Sequence, residues 1–255
     1  MTSTVTLTPL RGIKLVEPGD DLGAIAVSAL AANGIVPEDD DVLVVAQKVV
    51  SKAEGRYVDV TTVEPSQRAI ALARELDKDP RFVEVVLSES NRVVRHRLGL
   101  LIVEHRLGFV MANAGIDHSN VGAENGGERV LLLPEDSDGS ARALREYLVR
   151  VFGKKIAVII SDSFGRAWRK GTVGVALGAA GLPALIDMRG QPDLFGRTLQ
   201  VTETGFADEI AAAAGLLMGQ ADEALPMVVV RGLSWSAPEV PAATLIRAAE
   251  HDLFR

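Results

Sequence analysis

The sequence predicts a mixed α/β (α+β) fold. Three observations carry that expectation. Short apolar runs of strand length recur along the chain, as in VLVVAQ at 42–47, Lys155–Ile160 and Met227–Val230. Stretches with helical apolar spacing lie between them, as in Leu22–Asn33 and Phe206–Met218. Neither an internal repeat nor a low-complexity linker interrupts the order. With 255 residues, 47% of them hydrophobic and 24% charged, the chain suffices for one large unit over 1–255, or for two intimate subdomains whose boundary cannot be read. It has no cysteine and four histidines, which argues against a zinc site and excludes disulfides. A net charge of −7 argues against general nucleic-acid binding, so an anionic ligand would need local cations or metals. The opening MTSTVTLTPLRG is not a basic region followed by an apolar core, and no apolar run is long enough for a bilayer, so the expected location is cytoplasmic with no membrane partner.

Taken in order, Thr4–Leu7 is expected as a first strand, and Leu10–Lys14 as a glycine-containing turn whose backbone could approach a ligand. Asp20 and Asp21 precede the helix Leu22–Asn33 and suit the positive end of its dipole. Asp39–Asp41 lead into the buried strand VLVVAQ. In QKVVSKAEGR, at Gln47–Arg56, the cations Lys48, Lys52 and Arg56 recur at helical spacing. They read either as a solvated face pairing with Glu54 or as three cations for phosphates. Pro65–Asp77 and Arg81–Glu89 are expected as scaffold helices, the first opened by its proline. Arg92–Arg97, Leu100–Glu104 and Phe109–Ala112, divided by Gly99 and Gly108, predict an antiparallel meander that Leu131–Leu133 continues. His96 and His105 in it have no companions at metal spacing.

Asp136–Ser140 should cap a helix over Ala141–Phe152. After the strand Lys155–Ile160, Gly174–Gly181 reads as a tight packing element and Asp187–Gly196 as a lid or intersubunit arm. Leu199–Thr204 predicts a strand, and Phe206–Met218 a helix whose dipole accounts for Asp208 and Glu209. The loop Gly219–Pro226, the strand Met227–Val230 and a helix over Ala242–Leu253 complete the chain.

The chemistry concentrates in two acidic loops. NAGIDHSN at Asn113–Asn120 follows an apolar run and holds Asp117, Ser119 and Asn120, while SDSFGRAWRKG at Ser161–Gly171 follows a buried strand and opens with Asp162. Two carboxylates on loops after strands suggest one hard-cation site, although for either aspartate alone capping a turn or a helix is the plainer role. His118, beside Asp117, could touch a substrate or simply pack. Arg166, Arg169 and Lys170, spaced by Gly165 and Gly171, would place cations beside the acid, and together with a metal they would suit a polyphosphate. GVALGAAG departs from the dinucleotide fingerprint, and GRAWRKGT has Lys and Gly in the wrong order for a Walker A loop.

QKVVSKAEGR, NAGIDHSNV, SDSFGRAWRKGTVGVALGAAG, DLFGRTLQVTETGFADEIAAAAGLLMGQ and VVVRGL together resemble the coenzyme F420-0:L-glutamate ligase family over most of the chain, from about Pro9 to about Leu233. The resemblance implies GTP-dependent addition of L-glutamate, then of further γ-linked glutamates, to coenzyme F420-0 in coenzyme F420 biosynthesis. It also implies Mg2+ or Mn2+ with K+, and an intertwined homodimer. It puts Asp117 and Asp162 on a first metal, Ser163 on a second, and Gln220 as a further metal ligand in the Gly219–Pro226 loop. It puts Leu10, Arg11, Gly12, Ile13, Gln47, Lys48, Lys52, Asn120, Gly219, Gln220 and Ala221 at the nucleotide, with Gln47 and Lys48 standing where small hydroxyl residues are expected. Some relatives carry a flavin-binding reductase domain after this unit, and none is expected here. Two other readings compete: another nucleotide-dependent carboxylate ligase or phosphotransferase on the same scaffold, and a metal-dependent nucleotide-binding module without catalysis.

Overall fold

A computed structural model describes residues 4–118 and 128–253. The chain runs β1 (Thr6–Pro9), α1 (Leu22–Ala32), β2 (Val42–Ala46), α2 (Gln47–Ala53), β3 (Tyr57–Asp59), α3 (Gln67–Leu76), α4 (Pro80–Ser88), β4 (Ser90–Arg97), β5 (Leu100–His105) and β6 (Val110–Ala112). It continues through β7 (Arg129–Leu131), α5 (Ser137–Phe152), β8 (Ala157–Arg166), β9 (Arg169–Ala180), β10 (Ile186–Asp187), β11 (Glu203–Thr204), α6 (Phe206–Met218) and β12 (Met227–Arg231). No helix among the described residues is long and apolar enough to cross a membrane.

The apolar runs become the centre of a five-stranded sheet of order β1-β12-β2-β8-β9, with β2 and β8 parallel and the other pairs antiparallel. Continuous apolar strands belong where both faces are covered, and strict alternation sorts their side chains. Leu43, Val45, Val158, Ile160, Met227 and Val229 pack under α1 and α5 with Leu30, Leu144 and Leu148. Val42, Val44, Ala157, Ile159, Val228 and Val230 pack on α6 with Ile210, Ala211 and Ala214. A third core joins α3 and α4 to β5, β7 and the segment before Asp117 through Leu76, Phe82, Val86, Leu101, Val103 and Ile116.

β9 is a sheet edge, and three acids blunt it and the residue just past its end. The backbone N–H groups of Ala176, Ala179 and Gly181 donate to Asp208, Asp138 and Glu239, each at 2.8 Å. Asp208 and Asp138, both in the first turns of their helices, therefore serve the sheet as well as the helix dipole. The helices approach β9 closely because it carries glycine there. A Cβ on Gly178 would run into the carbonyl of Ser137, and one on Gly174 into that of Ala211.

Most expected elements form, and the differences have physical causes. The first strand is displaced to Thr6–Pro9, where it pairs with β12. Residues 161–171 are a β-hairpin rather than a loop, because β8 and β9 continue pairing out to Arg166 and Arg169. Asp162 and Ser163 thus lie inside a strand, and the expected packing element Gly174–Gly181 belongs to β9 up to Ala180. The meander is a separate sheet of order β4-β5-β6, while β7 pairs with β3 instead of continuing it. The expected strand at Leu199–Thr204 shrinks to Glu203–Thr204, paired with Ile186–Asp187. The expected terminal helix becomes two 3-10 turns, Ala242–Leu245 and Ala249–His251. Within these turns only Ala242 is buried, so a longer helix would have no apolar face to pack.

The close approach of helix to edge strand can be tested by substitution. Gly178→Ala should lose about 1–3 kcal/mol in urea unfolding, the usual cost of forced overpacking. Gly165→Ala, where a Cβ meets nothing within 4 Å, should change stability by less than about 0.5 kcal/mol. Equal effects at the two positions would show that the β9 glycines are not needed for packing.

Candidate functional site

The parallel pair β2/β8 locates the site. Pairing with β2 ends at Ala46 and Ser161, and β8 then runs on with β9 as its remaining partner. A cavity of about 610 Å³ opens at this carboxyl end, lined by the start of α2, Asp162 and Ser163 of β8, the 13–16 segment and the 219–226 loop. Crevices beyond the carboxyl ends of parallel strands are the usual place for ligands in open α/β sheets. Alternation along β8 sends Asp162 to the side of Val158 and Ile160, toward α2, and Ser161 and Ser163 to the α6 side. The Ser161 hydroxyl approaches Met218 Sδ on α6 at 3.9 Å, in keeping with that parity.

Charge is concentrated on the α2 side. Lys48 Nζ pairs with Asp117 Oδ2 at 2.6 Å, both side chains about a quarter exposed. Asp117 is held by two main-chain hydrogen bonds exchanged with Leu131, each 2.9 Å. Before it, Asn113, Ala114 and Gly115 all adopt left-handed conformations, with φ of 49°, 55° and 66°. For Ala114 this costs about 1–2 kcal/mol, a local strain held in place by the surrounding packing. Burial pushes the Asp162 carboxyl up to about 6; the charge of Asp117 adds to the rise, while the Ser163 N–H and Lys48 oppose it. Burial likewise lowers the Lys52 ammonium, with Lys48 adding to the fall and Asp117 opposing it.

The structure gathers many of the expected residues. Ile13, Gln47, Lys48, Lys52, Asp162, Ser163, Gly219, Gln220 and Ala221 line the cavity, and Asp117 joins them through Lys48. Leu10 is fully buried in the sheet core, and Arg11 is tied through its main chain to the Asn33 side chain, so neither lines the cavity, nor does Gly12. The Gln47 side chain is buried and donates to Ser51 Oγ at 2.6 Å. Arg166, Arg169 and Lys170 lie at the exposed hairpin tip outside this cavity, with Arg166 donating to the Lys170 carbonyl at 3.2 Å. Arg56 turns away after Gly55, whose φ is 67°, and does not share the face of Lys48 and Lys52. His118 packs on the Phe82 ring at 4.6 Å. Asn120 lies outside the described residues.

Sequence reasoning passed over Ser161, Val16 and Glu223. Glu223 closes the 219–226 loop by accepting from the Ala221 N–H at 2.8 Å, and it lies within the cavity wall. The period-two parity of β8 could have flagged Ser161 once the strand was known to continue.

Among the described residues no cluster of three acidic or histidine side chains is built to hold a metal. The fit to a hard cation rests on the half-buried carboxylate of Asp162, whose burial raises it and which Asp117 stands close enough to raise further. Ser163 and Gln220 line the same cavity and add a hydroxyl and an amide oxygen, the neutral donors that such ions accept. All four of these groups are hard oxygen donors.

Comparison with known proteins adds the family. The sequence model described as F420-0:Gamma-glutamyl ligase matches residues 12–232. A protein named coenzyme F420:L-glutamate ligase from Methanothermobacter thermautotrophicus is 43% identical over 253 residues, covering 98% of this chain and 99% of the relative. Proteins of the same name from Methanopyrus kandleri and Archaeoglobus fulgidus are 45% and 43% identical, with 99% and 98% of this chain and 98% and 96% of the relatives covered. With most of its length matched by the family and its cavity assembled from the motifs of that match, the chain belongs to the F420-0:gamma-glutamyl ligase family.

Proposed function

We propose that this protein is a GTP-dependent ligase that joins L-glutamate to coenzyme F420-0, and then further glutamates by γ-linkage, in coenzyme F420 biosynthesis. The observation that carries the reading is the family match across residues 12–232 together with a cavity that gathers Lys48, Lys52, Asp162, Ser163 and Gln220. A carboxylate resists attack by an amine until one of its oxygens can leave. In the proposed path a carboxylate oxygen of F420-0 attacks the γ-phosphorus of GTP, the bond to GDP breaks, and an acyl phosphate forms. The glutamate amine then attacks the acyl carbon, phosphate leaves, and the amine proton passes to solvent.

Each reactant is an anion, and two like charges about 4 Å apart repel by roughly 4 kcal/mol at an effective dielectric of 20. Lys48 and Lys52 bring positive charge to the cavity. Asp117 and Asp162 would hold a first divalent cation and Ser163 and Gln220 a second, with K+ as a further partner. Such ions supply charge neutralisation of phosphate oxygens. Arg166, Arg169 and Lys170 would grip phosphate or carboxylate oxygens. Because they project from the hairpin tip, we assign them to a site completed in a homodimer. Trp168 at that tip is 86% exposed, and Leu194, Phe195 and Val201 on the nearby-in-sequence 187–203 arm are 93%, 91% and 83% exposed, which is apolar surface a second copy would cover.

Mass spectrometry of F420-0 incubated with the protein, GTP, Mn2+ and L-glutamate should show stepwise glutamate additions, with phosphate release requiring both glutamate and F420-0. GTP binding without turnover would favour a non-catalytic module, and turnover with other carboxylates alone would favour a different ligase.

The raised carboxyl of Asp162 gives a pH signature. A group raised from 3.8 to about 6 on folding contributes stability that is fully present below 3.8 and lost as pH rises through 6. At pH 7, metal-free Asp162→Asn should therefore be more stable than the parent by about 1–3 kcal/mol. The gap should close toward pH 4, Mn2+ should raise the melting temperature of the parent alone, and the variant should lose turnover. Parallel melting curves across this range, with or without Mn2+, would refute the role given to Asp162.

Arg166→Met should lose about ten- to a hundredfold in turnover or affinity, the worth of one charge-assisted hydrogen bond. Arg166→Lys should recover part of this if charge matters more than the planar fork. Steady-state kinetics with GTP, F420-0 and glutamate varied in turn would decide, and parental values in both variants would remove Arg166 from the site.

A further inference from the structure

The motif QKVVSKAEGR ends on an arginine that the proposed chemistry leaves unused. Arg56 leaves the face of α2 and turns toward the chain leaving β7, whose last residue bridges to Asp117. Its Nε donates to the Leu133 carbonyl at 2.9 Å, its main-chain carbonyl accepts from the Leu132 N–H at 2.9 Å, and its terminal nitrogen reaches Glu89 Oε2 at 3.1 Å. The same Glu89 oxygen accepts from Arg106 Nε at 3.1 Å, and Arg106 donates in turn to the Glu135 carbonyl at 3.1 Å. One carboxylate thus anchors two arginines that grip alternate carbonyls of the chain leaving β7.

That chain sets the position of Asp117. Leu131, the last residue of β7, exchanges both main-chain hydrogen bonds with Asp117. Leu132 and Leu133, the next two residues, are the ones Arg56 holds. We infer that Arg56, held by Glu89, is a positioning residue that fixes Asp117 relative to Asp162 for cation binding.

The anchor is suited to constant service. Burial works to raise the Glu89 carboxyl but is outweighed by His105, Arg106 and Arg56, which hold it at about 2, so it stays ionised at neutral pH. His105 is fully buried; its Nδ1 accepts from the Leu107 N–H at 3.0 Å, which leaves the proton on Nε2, 3.5 Å from Glu89. Groups that orient metal ligands without touching the ion are typically worth about 10- to 100-fold in affinity.

The inference rests on Asp117 being a cation ligand, and the experiment separates the two. Mn2+ is titrated into the substrate-free protein by calorimetry for the parent, Asp117→Asn, Arg56→Met, Arg56→Lys and Glu89→Gln, with melting temperature recorded for each. Arg56→Met and Glu89→Gln should remain folded and bind Mn2+ about 10- to 100-fold more weakly. Arg56→Lys should be intermediate, because an ammonium can meet Glu89 but not Leu133 with the same fork. Parental Mn2+ affinity in a folded Arg56→Met or Arg56→Lys overturns the inference while Asp117→Asn still loses binding. Parental affinity in Asp117→Asn overturns the cation reading itself. If Arg56→Met does not fold, Arg56→Lys and Glu89→Gln carry the same comparison.

Discussion

β8 outlasts its parallel neighbour, and the site depends on that mismatch. While β2 runs beside it, the alternating side chains of β8 are consumed by two cores, Val158 and Ile160 on one face and Ala157 and Ile159 on the other. Once β2 turns into α2 at Gln47, the same alternation delivers Asp162 and Ser163 to a cavity that reaches both faces of the sheet. No special loop is needed to display them. The hydrogen bonds to β9 keep this stretch extended, so the two groups are placed by a stiff ladder rather than by a mobile turn.

The electrostatics follow from the same geometry. Asp162 is drawn into an environment where its charge is costly, and Asp117 stands close enough to make it costlier. Lys48 offsets part of this through its ion pair with Asp117, and Lys52 is itself poorly solvated. Two carboxylates and two ammonium groups thus meet at partial burial, where charges act on one another more strongly than in open water. The left-handed run at Asn113–Gly115 and the Arg56–Glu89–Arg106 cluster hold Asp117 against this tension from the other side.

The rest of the sheet shows how exposure is managed. The outer edge of β9 is closed by Asp208 and Asp138 where it lies under the helices, and Glu239 takes the Gly181 N–H just past its end. Farther out, the hairpin tip carries Trp168 and the basic residues in the open, and the 187–203 arm displays Leu194 and Phe195. Closed edges beside open apolar tips fit a surface reserved for a second copy of the chain, the arrangement proposed above.

By itself the sequence determined the elements that depend on local chemistry. The helix Phe206–Met218 forms as its apolar pattern predicts, and Asp21 and Asp136 cap their helices because short acidic side chains satisfy exposed N–H groups. The central strands could be read because continuous apolar runs have nowhere to go but the middle of a sheet. The motifs pointed to the family, and many of their residues meet in one cavity. Only the tertiary structure decided that 161–171 is a hairpin, since its small and charged residues carry no alternation and are held in strand form by pairing across the turn. It also decided that β7 pairs with β3, and that Arg56 serves Leu133 and Glu89 rather than the face of Lys48. Helical spacing cannot reveal such partners, because they come from residues 33 and 77 positions away, and long-range pairing is set by how the cores close rather than by any local preference.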